Sequence, residues 1–299
     1  MNSRERDAER ARKRVASRAA PLIWFAPALG LLLLVTLYPT AVVVWLSFNR
    51  TRYYDVVGWT GLGNYVAVLS SPAFWDLTVN SLTYLVGSLA IVLPLGLVSA
   101  LALQSMPLSA PALRVLLLLP WTLSMGVVGC FWLWLLNPSY GPVSYALQQI
   151  GFAPGLMLGD PGLALFLVIL VTAWWSFPYV MVMMSAALQG VPAELYEALD
   201  IDGGGFRSRL RHVIWPHVGP TLGSTALALG ILYLTLITLI LVLTGGGPLG
   251  ATSTWSLEVF ISAFRSTDLS PSSVISIVVL AVNLLLGLLY IRLTGRVSG

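Results

Sequence analysis

The chain has 299 residues, of which 57% are hydrophobic and only 9% charged, with a mean hydropathy of +0.86 and a formal net charge of +4. A water-soluble domain carries about 25% charged residues, so burial in a soluble core is excluded as the explanation and a hydrocarbon solvent is required. The positive balance does not build a nucleic-acid-binding face, because the bases are distributed by membrane side.

The chain opens on a tail with seven basic residues: Arg4, Arg6, Arg10, Arg12, Lys13, Arg14 and Arg18. It reads as an orientation signal with some attraction for anionic lipid. An α-helical span needs about 20 mostly apolar residues, and six stretches qualify. They are Leu22–Phe48, Leu77–Leu103, Leu113–Leu136, Gly162–Leu188, Gly219–Thr244 and Ser273–Leu293. The first outruns the apolar core of a secretion signal, about 7–15 residues, and no small-residue cleavage site stands out after it, so it reads as a retained anchor. No Asp, Glu, Lys, Arg or His lies in the middle of any stretch, as expected where a central charge costs about 2.5–3.5 kcal/mol or more.

After the first span, Tyr53, Tyr54, Trp59, Tyr65 and Trp75 suit an aromatic belt at the interface. Asn49-Arg50-Thr51 has the form of a glycosylation sequon. The third span holds the single cysteine, Cys130, which excludes an intrachain disulfide and reads as a small packed hydrophobe. On span four, Thr172, Trp175, Ser176 and Tyr179 recur at i, i+3, i+4 and i+7, one helical face, and Pro178 opens local carbonyls. Tyr233, Thr235 and Thr238 are the polar positions of span five, and Asn283 is an isolated polar group of span six. Aromatic faces with hydroxyl donors suit a neutral sugar or polyol, although hydroxyls also serve helix packing in membranes.

The basic residues fix the orientation. With the tail, Arg114, Arg207, Arg209, Arg211, Arg292 and Arg296 place 13 on one side, against Arg50, Arg52 and Arg265 on the other. The richer side is cytoplasmic, which puts both termini there and agrees with an even number of spans.

The fourth connection, 189–218, is long and unlike its neighbours. Pro192 suits the first turn of a helix, and Glu194 and Glu197 follow where the helix dipole favours negative charge. Leu195, Ala198 and Leu199 make a narrow apolar stripe. Gly203–Gly205 permit a sharp turn, and a second, basic helix, Phe206–Ile214, leads to Pro216, which ends it before span five. A helix resting on lipid would be basic along its length, whereas the first is acidic. A groove on a protein partner fits it better. His212 and His217, five apart, lack the spacing and companions of a metal site and read as interfacial polar residues.

Here the residues carry a resemblance. Glu197-Ala198-Leu199, three residues, Gly203, nine residues, Val213-Ile214-Trp215-Pro216 resembles the EAA loop, Glu-Ala-Ala-x3-Gly-x9-Ile-x-Leu-Pro, of permease subunits of ATP-binding-cassette importers. The spacing is kept; Leu199, Val213 and Trp215 depart from it. Leu243-Thr244-Gly245-Gly246-Gly247-Pro248 with Ala263-Phe264, and Gly61-Leu62-Gly63-Asn64-Tyr65, resemble the first permease subunit of the carbohydrate-uptake group, the maltose and glycerol-3-phosphate type. Members of that group tend to carry Phe-Asp where this chain has Ile237-Thr238.

The resemblance implies an all-α polytopic membrane protein with six transmembrane helices and both termini cytoplasmic, its coupling helices between spans four and five. It divides into a basic cytoplasmic tail, 1–20, and a transmembrane permease domain, 21–299, in a bacterial cytoplasmic (inner) membrane. Glu194, Glu197, Ala198, Leu199, Asp202 and Gly203 would contact a cytoplasmic ATPase whose closure rocks the spans. Thr172, Trp175, Ser176, Tyr179, Tyr233 and Thr238 would line the path. The implied partners are a second permease subunit, two ATPase subunits and an extracytoplasmic substrate-binding protein. ATP and Mg would bind the ATPases, since the one lysine, Lys13, makes no phosphate loop; the chain itself would be no enzyme and would hold no cofactor or metal. The alternative is an ion-coupled secondary transporter of a small neutral solute, against which stands the lack of a mid-membrane carboxylate.

Overall fold

A computed structural model describes residues 3–106, 110–151 and 157–294; the side chains of the basic tail, and Arg296, lie outside the described set. In chain order the elements are α1 (Ser3–Ser47), a hairpin of β1 (Asn49–Arg52) and β2 (Asp55–Trp59), α2 (Gly63–Leu69), α3 (Pro72–Gln104), α4 (Ala110–Thr122), α5 (Met125–Leu135) and α6 (Pro142–Gln149). There follow α7 (Pro161–Gln189), α8 (Ala193–Ile201), α9 (Phe206–Ser208), α10 (Trp215–Thr235), α11 (Thr238–Leu243), α12 (Trp255–Phe260) and α13 (Leu269–Thr294). Among the described residues five helices are long and apolar enough to cross a membrane, within α1, α3, α7, α9–α10 and α13; α4 with α5 would be a sixth, bent by 97°. Long helices follow from the solvent, because in hydrocarbon every backbone N–H and C=O must be satisfied within the chain.

The core is the pair α3 and α7 with α10 laid across both. Small residues let the first two approach. A Cβ on Gly96 would overlap the side chain of Val180, and one on Gly87 would sit 2.9 Å from Ile169. Close backbone approach of this kind is how membrane helices gain dispersion energy where the lipid offers no hydrophobic drive.

Two expected spans are broken. The third stretch turns sharply at Leu123-Ser124, where the Ser124 hydroxyl caps α5 by accepting from Val127 N (3.4 Å). The fifth leaves the helix at Leu236, extended at ψ 120°. There the hydroxyl of Ser256, on α12, donates to the carbonyl of Leu234, which a continuous helix would have offered to Thr238. The second loop helix is not ended by Pro216 either. A π-helical stretch over Arg209–Ile214 runs into α10, where Pro216 occupies the first turn and its missing N–H costs nothing.

The loop after α1 holds a hairpin that the sequence did not announce. Tyr53 and Tyr54 have φ of 51° and 70°, both positive as in a type I′ turn. Asn64, from the Gly61–Tyr65 motif, donates to the carbonyls of Ser47 (2.8 Å) and Asn49 (2.9 Å) and so fixes the end of α1. Thr51 ties the hairpin to the start of α13: its N donates to Ser270 Oγ (2.8 Å), while its Oγ1 accepts from the N atoms of Leu269 and Ser270 (2.9 Å each). Asn49 and Thr51 are buried, so the sequon is occupied by the fold. Cys130 is exposed rather than packed: α5 buries its neighbours Val128 and Gly129, the latter against Val242 of α11.

Candidate functional site

The loop after α7 projects α8 as a short, almost unsupported helix. None of its residues is buried. Glu194, Glu197, Ala198, Asp202 and Gly203 are exposed and Leu199 is half-buried, so the acidic and apolar residues singled out from the sequence lie on one accessible element. Two apolar neighbours escaped the sequence reading: Ile201 is 86% and Phe206 71% exposed. They stand beside the exposed carboxylates of Glu194, Glu197, Asp200 and Asp202. Gly203 reverses the chain at φ +71°, a conformation that costs a side-chain-bearing residue about 1 kcal/mol or more. Behind it Gly204 N donates to Leu199 O (2.8 Å), and a Cβ on Gly204 would meet the Leu199 side chain at 2.6 Å.

The two histidines make local bonds. His217 Nδ1 donates to Val213 O (2.7 Å) and His212 Nδ1 to Ser208 O (3.2 Å).

The candidate path residues divide into two groups. Thr172, Trp175, Ser176 and Tyr233 are buried in the α3–α7–α10 core. Thr172 pairs with the Tyr84 hydroxyl (3.1 Å) and Ser176 with the Tyr233 hydroxyl (2.5 Å), and the two tyrosine rings lie 6.0 Å apart. Thr172 and Ser176 also donate back to the carbonyls of Val168 and Thr172 (2.8 and 2.6 Å). These groups are satisfied within the chain, as lipid demands, and tie three helices together.

The second group faces outward. Tyr179 is half-buried, and its hydroxyl has no hydrogen bond among the described residues. Its ring stacks on Trp121 (5.2 Å between centroids, 27°), which lies 4.2 Å from Trp175, while Trp175 Nε1 donates to Leu123 O (3.1 Å) at the α4–α5 bend. Thr238 is exposed at the start of α11, and so is Thr235. Trp121 was missed from the sequence; its place directly after Pro120 was the available signal. Asn283 Oδ1 is buried with no hydrogen-bond partner among the described residues.

At the opposite end from α8, two hollows of about 540 and 470 Å³ share Ala67, Val68 and Pro271. Arg50, Arg52, Asn64 and Asp268 line the first; Phe74, Asp76, Leu249 and Glu258 line the second. Leu249 stands 99% exposed on the glycine-rich loop. The Thr244 and Thr252 hydroxyls (2.7 Å) and the Ser253 hydroxyl, which donates to Gly246 O (3.1 Å), brace that loop.

A family described as the binding-protein-dependent transport system inner membrane component matches residues 14–299. The trehalose/maltose transport system permease protein MalF of Thermococcus litoralis is 31% identical over 271 residues, covering 90% of this chain and 91% of that one. The sulfoquinovosyl glycerol transport system permease protein SmoG of Agrobacterium fabrum is 28% identical over 282 residues, covering 93% and 91%. Among solved structures, a bacterial alginate ABC transporter in complex with an alginate pentasaccharide-bound periplasmic protein contains a chain that superposes with a TM-score of 0.81. That match has 19% identity and covers 95% of this chain and 97% of the other; it speaks for the fold alone.

Proposed function

The chain belongs to the family of binding-protein-dependent transport system inner membrane components, and on that premise we propose that it forms half of the membrane path of an ATP-driven importer of a sugar or related polyol. The observation that carries this reading is α8: an acidic helix with no buried residue, presenting Leu195 and Ile201 to solvent, with Phe206 exposed at the start of α9 beside it. A folded chain does not leave such an element uncovered without a partner to cover it. The partner is a cytoplasmic ATPase, one of two, which binds ATP and Mg and whose closure pushes the 194–216 loop. Glu194, Glu197, Ala198, Leu199, Asp202 and Gly203 form the contact.

Six spans, namely α1, α3, α4–α5, α7, α10–α11 and α13, place both termini and α8 in the cytoplasm of a bacterial cell and the Arg50/Arg52 hollow outside. There the hairpin, α2 and the Leu249 loop offer a face to an extracytoplasmic substrate-binding protein. α1 packs mainly along α13, leaving its other faces to lipid and a second permease.

The cargo reading rests on sugar-permease relatives and on the aromatic shelf. A sugar ring presents apolar C–H faces and equatorial hydroxyls, which stacked rings with a spare hydroxyl complement. Tyr179 and Trp121 offer that shelf and Thr238 a further hydroxyl. Trp175, Thr172, Ser176 and Tyr233 hold the shelf in place from behind.

The test is affinity purification of the tagged chain in mild detergent. Co-elution of an ATPase and a second permease, lost when 197–203 is altered, supports the reading. A chain that elutes alone and takes up solute into liposomes under an ion gradient without ATP overturns it in favour of a secondary carrier.

A further inference from the structure

The helix that meets the partner has little hydrophobic packing to hold its angle, Tyr196 being its contact with the core. α8 buries none of its residues, and behind it lies a hollow of about 390 Å³ lined by Leu101, Gln104, Ser105, Tyr196, Arg209 and Ile214 among others. One residue crosses that gap. Arg209, on the π-helical stretch that runs into α10, donates from Nη2 to both carboxylate oxygens of Asp200 (2.7 and 3.1 Å). Its guanidinium carbon also lies 5.4 Å from the ring centroid of Tyr196. Tyr196 and Asp200 are four apart, on one face of α8. Beneath them the Tyr196 hydroxyl is buried with no hydrogen-bond partner among the described residues.

We infer that Arg209 is the positioning residue of the coupling helix, the strut that makes α8 follow α10 as one body. A guanidinium is suited to this work because a single planar group can stack on an aromatic ring and donate to a carboxylate at once. The loop's backbone supplies a hinge but not an angle: Gly203 and Gly205 have nothing within 4 Å of an added Cβ. The Arg209–Asp200 pair is partly exposed, at 40% and 57% of side-chain surface, so it is screened. That makes it a strut strong enough to bias the angle and weak enough to yield. The inference rests on the coupling role proposed above.

Two measurements separate its failure from the failure of that role. In the purified full chain without partners, hydrogen exchange over 193–202 should rise about fivefold in Arg209→Ala. In the complete reconstituted transporter, uptake per ATP hydrolysed should fall about tenfold. Arg209→Lys, which keeps a charge over the ring but loses the planar fork, should fall between. The reversed pair Asp200→Arg/Arg209→Asp should recover most of the coupling. Unchanged exchange in Arg209→Ala overturns the strut itself. Faster exchange with wild-type uptake per ATP overturns its part in coupling, as does a reversed pair that folds, elutes as the wild type and couples no better than Arg209→Ala. If the wild-type complex takes up solute without ATP hydrolysis, the parent reading fails while the exchange result still stands.

Discussion

At the scale of single residues, hydroxyls of similar type carry different duties according to what surrounds them. The Ser176–Tyr233 bond is buried and joins α7 to α10. In membrane proteins such bonds are worth about 0.6 kcal/mol on average and up to about 1.7 kcal/mol. Tyr233→Phe is therefore expected to destabilise the chain by about 1 kcal/mol. Ser176→Ala added to it should cost little more, because the two share one interaction; denaturant unfolding in detergent measures both. Tyr179 has a hydroxyl with no such bond and a ring held by Trp121. Tyr179→Ala or Trp121→Ala should weaken apparent substrate affinity in an uptake assay, roughly tenfold for loss of a stacked ring. Unaltered transport in both variants would remove the shelf from the path. Spacing on span four brought these residues to one face but could not say which would turn inward, since Tyr84, the partner of Thr172, lies on another helix 88 residues away.

At the scale of elements, the α3–α7 contact and α8 make opposite demands. The first is close packing: Gly96→Ala places a Cβ against Val180 and 3.0 Å from Met181 N, and overpacking of that kind costs about 1–3 kcal/mol. Gly30→Ala on α1, where nothing lies within 4 Å, should leave stability unchanged or slightly raised through helix propensity. Equal stabilities for the two variants would contradict the close approach. The second demand is a fixed turn before an open face. Gly203→Pro forces φ from +71° to about −65°, and Glu197→Lys reverses a charge on the proposed docking face. Both should abolish uptake with expression and elution of the chain intact. The helices themselves were legible because hydrocarbon forces apolar residues into long uninterrupted runs. The breaks were not. Ser124 and Pro120 gave a faint warning of the first. The second depends on Ser256 reaching Leu234, a tertiary contact that leaves no mark near Leu236. The hairpin escaped for a related reason: its turn is Tyr53-Tyr54, not the Asn-Gly or Asp-Gly that announces a type I′ turn.

At the scale of the whole molecule, the arrangement matters only if it has the right side in the right compartment, and charge is the sole witness to that in the sequence. Thirteen basic residues against three is a large asymmetry, and translocation of Lys and Arg is disfavoured in short loops near span ends. The fold adds independent handles, because Tyr53 is 70% exposed at the hairpin turn and Ile201 is 86% exposed at the end of α8. The single native cysteine, Cys130, can be removed as Cys130→Ser, leaving a background in which one new thiol reports one position. In intact cells with the outer envelope opened, a membrane-impermeant maleimide should label Tyr53→Cys and leave Ile201→Cys unmodified until the cytoplasmic membrane is permeabilised. Both variants should retain uptake, Ile201→Cys at reduced rate because it trims an apolar side chain of the proposed ATPase contact. The reverse labelling pattern would turn the molecule over. It would place α8 outside, beyond reach of any ATP-hydrolysing partner, and the coupling role would fall with it. Labelling of both from outside would instead mean an even number of crossings between residues 53 and 201 in place of the three assigned to α3, α4–α5 and α7. The bent α4–α5 pair, at 97°, would then be the segment that dips into the membrane and returns.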